Sequence, residues 1–117
     1  MDAAGNIEYI SEAHRALFGR ATADIEGSDG LFAIHPDDLP QVADTLSSLY
    51  TTPGRRVNVT LRVRHADGSY RNVEAVGQNR TDDPAVRGTV WNIRDITERV
   101  RTEAELRATE QRLAVVV

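Results

Sequence analysis

Every second residue from Val57 to Val63 is apolar, and the residues between them are polar. An alternation of period two predicts a β-strand with one buried face and one face exposed to water. Asp67-Gly68 predicts a tight hairpin after that strand. A return strand is predicted over residues 70–80 and a third strand over residues 89–96, so the middle of the chain is expected to form an antiparallel sheet covered on one side.

The residues before these strands are expected to form shorter elements. Ile7, Glu8 and Tyr9 alternate as in a short strand, and residues 20–35 are expected to form short helical turns joined by loops. Ser11 is suited to the N-cap of a short helix that runs to Phe18. Gly19 is suited to ending that helix in a left-handed conformation.

His35-Pro36-Asp37-Asp38 predicts the start of a longer helix. Either aspartate is expected to accept hydrogen bonds from the N–H groups of the first turn. Apolar residues recur at positions 39, 42, 43, 46 and 49, which predicts an amphipathic helix that ends before Pro53-Gly54.

The chain from Thr97 onward contains neither glycine nor proline. Thr97 is expected to cap a helix that runs to at least Leu113. A heptad register with the spacing of a coiled coil passes through Arg99, Thr102, Leu106, Thr109, Leu113 and Val116. Half of these positions are apolar, and Leu106 and Leu113 are the candidate contacts of a homodimer.

Composition limits the chemistry of the 117-residue chain. It has no cysteine, so disulfides, thiolate nucleophiles and cysteine-based metal sites are excluded. Its net charge of −4 argues against a nucleic-acid partner, which requires clustered basic residues. No apolar run reaches the length of a membrane span and no signal pattern is present, so a cytoplasmic location without membrane contact is expected.

Four motifs resemble those of PAS domains and occur in the family's order. They are Gly5-Asn6-Ile7-Glu8-Tyr9-Ile10-Ser11 with Leu17-Phe18-Gly19, His35-Pro36-Asp37-Asp38, Asp67-Gly68-Ser69-Tyr70-Arg71, and Asp95-Ile96-Thr97-Glu98-Arg99. Together they cover nearly the whole chain. The segment Asp83–Gly88 also resembles PAS domains of bacterial multidomain sensor proteins, in which the next domain is often a diguanylate cyclase, a cyclic-di-GMP phosphodiesterase or a histidine kinase.

The resemblance implies an α+β fold: an antiparallel sheet, five-stranded in the family, with short helices over one face and a C-terminal output helix. The family's first strand precedes the Gly-Asn-Ile turn at which this chain begins. We therefore expect that strand to be missing, through truncation or with its place filled by a rearrangement or a partner chain. Residues 1–97 are assigned to the N-terminally truncated sensor domain and residues 98–117 to the linker helix.

PAS domains sense through a pocket between the helices and the sheet. The strand alternation and the resemblance place two groups of residues around it. From the sheet these are Val59, Leu61, Val63, Val73, Ala75, Gly77, Trp91 and Ile93, and from the helix side Phe32, Ile34, Leu46 and Leu49. Two alternatives remain open: an ordinary packed core, since any such domain buries these residues, or a cavity for a small apolar ligand. Ala75 and Gly77 leave room, and Trp91 is able to fill it.

The residues give little support for a bound cofactor or for a catalytic function. Flavin photochemistry requires a cysteine, and Val63 and Val73 stand where flavin-binding relatives carry polar residues. Haem requires a histidine facing the pocket. His14 and His65 are expected to be exposed to solvent, and His35 to make a local turn bond. His35, Asp37 and Asp38 are too close in sequence to converge on a metal, and no catalytic motif is present, so the chain is not expected to be an enzyme.

Asp95 and Thr97 are the candidate signal-coupling pair. In the family this junction links the sheet to the output helix, although a strand end followed by an N-cap explains the same residues. The expected function is a sensory module that relays a small-molecule or partner signal to an effector domain. The alternative is a ligand-free dimerisation module.

Overall fold

The structure is a computed structural model that describes residues 1–2 and 6–116; the side chains of residue 22 and of residues 113–116 are outside this description. Within that part of the chain three strands form one antiparallel sheet in the order β1-β2-β3. They are β1 (Arg56–Arg64), β2 (Tyr70–Arg80) and β3 (Gly88–Asp95). The three predicted strands are confirmed to within about one residue, because period-two alternation is a local signal that the sheet preserves.

Four α-helices accompany the sheet in residues 1–2 and 6–116: α1 (Glu12–Phe18), α2 (Thr22–Ile25), α3 (Leu39–Tyr50) and α4 (Thr97–Val116). Short 3₁₀ turns occupy Leu31–Ala33 and Pro36–Asp38. As predicted, the Ser11 hydroxyl caps α1 by accepting from the His14 N–H, and Gly19 ends it with φ of 64°. The α+β class is confirmed.

Residues Ile7–Tyr9 do not form the predicted strand. Ile7 N–H donates to the Ser28 carbonyl over 2.7 Å, and Gly27 N–H donates to the Ile7 carbonyl over 2.6 Å. These bonds tie the segment to a loop instead of a strand ladder, and the Tyr9 side chain is 77% exposed. Alternation alone was insufficient here because, among the residues that the structure describes, no strand pairs with the segment.

Both edges of the sheet carry isolated bridges. Asp2 pairs with Gly88 beside β3, and Ile34 pairs with Val63 beside β1. The described part of the chain therefore has a PAS-like sheet with fewer than the five strands of the family, in agreement with the expected shortfall.

The start of α3 differs from the prediction. His35 caps the 3₁₀ turn Pro36–Asp38 that precedes α3, and its Nδ1 accepts the Asp37 N–H over 3.0 Å. Asp38 makes no side-chain cap bond. Its carboxylate instead binds Arg62 on β1, accepting the backbone N–H over 2.8 Å and the guanidinium over 2.8 and 3.0 Å. The partner lies 24 residues away, so capping propensity did not identify it.

Helices and turns cover one face of the sheet and bury a continuous apolar core there. The buried residues of its main cluster are Phe18, Ile25, Ala33, Val42, Val59, Leu61, Val63, Val73 and Ala75. Helix α4 is different, because every side chain from 101 to 112 is exposed. A helix that is polar all round relies on a partner or on many surface pairs for its stability.

A cavity between the sheet and the helices

The apolar face of the sheet is not completely filled by the helices. A cavity of about 690 Å³ remains above it, within the about 300–1,000 Å³ typical of small-molecule sites. Its floor consists of Val59, Leu61 and Val63 from β1 with Val73 and Ala75 from β2. The strand alternation brings these side chains to the same face.

Most of the predicted pocket residues lie together around this cavity. Ile34 and Leu46 line it from the helix side, and Trp91 and Ile93 line it from β3. Sequence alternation therefore located both the floor and the β3 wall.

Phe32 and Leu49 do not line the cavity, so their assignment was wrong. Phe32 is 49% exposed and lies under the Arg20 guanidinium, whose carbon is 5.3 Å from the ring centroid. Leu49 is completely buried in the core, and its carbonyl accepts the side-chain N–H of Asn79 over 2.9 Å. Both errors concern segments outside the sheet, where period two gives no direction.

Gly77 was expected to leave room that Trp91 is able to fill, and the indole does fill it. It lies directly opposite Trp91 in the β2–β3 register, and a Cβ on Gly77 would be 2.8 Å from the Trp91 ring. The indole therefore occupies the space above the glycine, and Gly77 is not among the residues that line the cavity.

His14 was expected to be exposed, but it lines the cavity. Its Nε2 accepts the backbone N–H of Ile93 over 3.3 Å, which joins α1 to the free edge of β3. The signal that sequence reasoning missed is helical spacing: His14 stands four residues before the buried Phe18, on the same face of α1.

Thr89 is a second lining residue that the sequence did not reveal. Its side chain is only 1% exposed. Its Oγ1 accepts the indole N–H of Trp91 over 3.1 Å and lies 3.4 Å from the hydroxyl oxygen of Tyr50. The Tyr50 hydroxyl donates to the Asp2 carbonyl over 2.9 Å. A small polar network therefore borders an otherwise apolar cavity.

The other two histidines make turn bonds away from the cavity. His35 caps the 3₁₀ turn Pro36–Asp38 before α3, and His65 Nδ1 accepts the Asp67 N–H over 3.1 Å in the β1–β2 hairpin. Hydrogen bonds from the Ser69 side chain and backbone, with His65 and Arg71 nearby, lower the pKa of Asp67 to about 2. The expected exposure of His65 is only partly correct, since its ring also packs against Gly19. No group of three or more metal-binding side chains occurs in the described residues.

Asp95 and Thr97 lie together where β3 ends and α4 begins. The Asp95 carboxylate accepts the Thr97 N–H over 2.8 Å. Thr97 Oγ1 does not cap the helix as predicted; it accepts the N–H of Asn72 on β2 over 2.9 Å. The Ile96 N–H donates to the Asn72 carbonyl over 2.8 Å. The junction is thus attached to the neighbouring strand by backbone and side chain together.

On α4, Leu106 is 59% exposed, and the side chain of Leu113 lies outside the described residues. The one ion pair described on this helix joins Arg99 to Glu103 over 3.8 Å.

Comparison with known proteins agrees with this architecture. The family model described as PAS fold matches residues 7–93. A sensory box histidine kinase/response regulator from Burkholderia thailandensis E264 is 26% identical, with a TM-score of 0.66, and the match covers 91% of this chain and 80% of that one. A PAS domain from Colwellia psychrerythraea is 20% identical, with a TM-score of 0.70 and coverage of 83% and 82%.

A third structure, PAS-B of the Cycle protein from Drosophila melanogaster with bound ethylene glycol, has a TM-score of 0.71 at 14% identity and coverage of 80% and 93%. No protein with a curated description matches the chain. Among the helices that the structure describes, none is both long and apolar enough to cross a membrane. The family match spans most of the chain and agrees with the fold, so this chain belongs to the PAS fold family and is a sensory domain.

Proposed function

We propose that this PAS domain binds a small, mainly apolar molecule in the cavity and relays its presence to an effector domain through α4. The observation that carries the proposal is the unfilled volume of about 690 Å³ over the strand floor. A domain that served only as a packed core would gain dispersion contacts by filling that volume.

The relay follows β3. Trp91 and Ile93 line the cavity, and Asp95 at the end of the same strand holds the first turn of α4. A ligand that displaces Trp91 or Ile93 shifts the strand whose end positions the output helix. The Asp95–Thr97 contacts are the local element whose making or breaking converts that shift into a change of helix position.

The effector is proposed to be a histidine kinase, a diguanylate cyclase or a cyclic-di-GMP phosphodiesterase. Support for the first comes from the Burkholderia thailandensis protein, which is described as a sensory box histidine kinase/response regulator. The exposed α4 is proposed to pair with the same helix of a second copy through Leu106 and Leu113, since most helical stability in proteins comes from packing of a helix face and not from helix propensity.

We propose that the domain itself is not catalytic. Ser11 and His14 both line the cavity, and they are the pair closest to a nucleophile and base. However, the Ser11 hydroxyl accepts the His14 backbone N–H, and the imidazole Nε2 accepts the Ile93 N–H. Neither group is therefore arranged to activate the other.

Native mass spectrometry of the purified domain tests ligand binding directly, and Trp91, the only tryptophan, supplies a fluorescence signal from the cavity wall. Ala75→Phe fills the floor and is expected to abolish an adduct or a fluorescence response. Val76→Phe adds similar bulk on the opposite face of β2 and is the matched control. Leu46→Trp fills the cavity from α3 should Ala75→Phe fail to fold. A ligand-free dimer that shows no adduct and no response to apolar compounds would favour the alternative dimerisation module.

A further inference from the structure

The polar network beside the cavity has one hydroxyl proton without a close acceptor. Trp91 Nε1–H donates to Thr89 Oγ1 over 3.1 Å, and the Tyr50 hydroxyl proton is directed to the Asp2 carbonyl over 2.9 Å. The remaining proton belongs to Thr89. Its acceptor in the described structure is the Tyr50 oxygen at 3.4 Å, well beyond the roughly 2.7–2.8 Å preferred by O–H···O bonds.

Thr89 is placed to offer that proton to a ligand. It lines the cavity, and its side chain is almost completely buried. A buried hydroxyl with a long hydrogen bond gains more from a new acceptor than an exposed hydroxyl does, because water does not compete at the site.

Charge around the cavity restricts the ligand further. The carboxylates of Glu8 and Asp29 lie on two segments joined by the hydrogen bonds between Ile7 and residues 27–28. None of the fourteen arginines of the chain is among the described lining residues. Met1 also lines the cavity, and its terminal ammonium donates to the Thr89 carbonyl over 2.8 Å.

An anionic ligand would therefore find no guanidinium among the described lining residues, and the Met1 ammonium already donates to the Thr89 carbonyl, so burying the anion costs free energy. A cationic ligand would meet only exposed carboxylates, whose attraction is weak and screened by salt. An uncharged molecule avoids both costs.

We infer that the cavity selects an uncharged apolar molecule carrying one hydrogen-bond acceptor oxygen, such as a ketone, ester or ether, which the Thr89 hydroxyl recognises. This inference rests on the proposed ligand-binding function and adds the chemical class of the ligand and the residue that recognises it.

Four probes of similar shape test the selection: 4-phenyl-2-butanone, butylbenzene, 4-phenylbutyrate and 4-phenylbutylamine. Their affinities are measured by equilibrium dialysis against the whole chain at neutral pH and moderate salt. We expect the ketone to bind about threefold to tenfold more tightly than butylbenzene, the range of one net hydrogen bond. Both charged probes are expected to bind more weakly than the ketone, and N-terminal acetylation is expected to weaken 4-phenylbutyrate further.

Three variants assign the preference to Thr89. Thr89→Val keeps the shape and removes the hydroxyl, so the ketone is expected to lose its advantage over butylbenzene. Thr89→Ser keeps the hydroxyl and is expected to retain the advantage. Tyr50→Phe removes the competing acceptor and is expected to keep or increase it, an outcome that a purely structural role for the network would not produce.

Selection of the ligand by Thr89 and binding of any ligand in the cavity are distinguished by different outcomes. Equal affinities for the ketone and butylbenzene, an unchanged preference in Thr89→Val, or tightest binding by a charged probe would each overturn the inference while leaving ligand binding intact. Failure of all four probes, with the chain folded by circular dichroism, would count against the ligand-binding function itself.

Discussion

Trp91 and Gly77 face each other across β2 and β3, and the indole stands where a side chain on Gly77 would have to lie. An aromatic residue that covers a glycine on a neighbouring strand shields the exposed backbone there and fixes the pairing register. The same contact decides which part of the sheet remains open to the cavity.

Gly77→Ala is expected to destabilise the domain by about 1–3 kcal/mol, because the added methyl would overlap the Trp91 ring and force it to shift. The free energy of unfolding from urea titration and the tryptophan emission maximum should both change. Gln78→Ala, next to it on the outer face, is the control. In a Trp91→Ala background the cost of Gly77→Ala should disappear, and a cost that persists would show that the two residues are not coupled.

The Asp38–Arg62 pair gives the fold a dependence on pH. Hydrogen bonds from Arg62 lower the pKa of Asp38 below its ordinary value of 3.8. A carboxyl whose pKa is lower in the folded state stabilises the fold above its unfolded pKa and loses that contribution as the pH falls through the folded pKa. The contribution should therefore be complete above about pH 5 and decline below pH 4.

Asp38→Asn is expected to lower the free energy of unfolding by about 1–2 kcal/mol at pH 7. The effect is smaller than for a fully buried pair because the Arg62 side chain is 40% exposed. Urea titrations at pH 7 and pH 3 measure the difference from the unchanged chain, which should shrink at pH 3. Asp37→Asn is the matched control, because its side chain is 79% exposed and accepts no bond from Arg62. A difference that stays constant with pH would contradict the assignment.

His14 is expected to hold α1 against β3 through the Ile93 N–H. His14→Leu removes the acceptor and should increase hydrogen exchange of the Ile93 amide by about fivefold or more, since a net hydrogen bond contributes about 1 kcal/mol. His14→Gln retains an acceptor at a similar position and should restore much of the protection. Equal exchange in both variants would mean that the imidazole contact does not protect this edge.

Thr97 and Asp95 provide a test of signal coupling. Thr97→Val removes the acceptor for the Asn72 N–H, so that amide and the first turn of α4 should exchange faster while the sheet core stays protected. Thr97→Ser is the control. In a protein that carries an effector, Asp95→Ala should leave the domain folded but remove control of the effector, and unchanged regulation would disprove the coupling role.

Local patterns predicted most of the fold, and the failures share one cause. The strands and α1 follow from alternation and capping residues that lie within a few positions of one another. The roles of His14, Asp38 and Thr89 depend on partners that β3, β1 and α3 bring from distant parts of the chain. Phe32 and Leu49 were misplaced because the orientation of a short turn and the depth of a helix end are set by packing, which no period records.

The hydrogen bonds of the Ile7–Ile10 segment have a mechanical consequence. Among the described residues, its backbone bonds reach Ser28, Gly27 and the Glu26 carboxylate, and none reaches a strand. The floor of the cavity is a continuous ladder of paired strands. Residues 7–10, which also line the cavity, are instead bonded to the loop at residues 26–28. Ligands of different size would therefore be accommodated by displacement of residues 7–10 at small elastic cost. The distance between this segment and β3 would then report the size of the bound ligand.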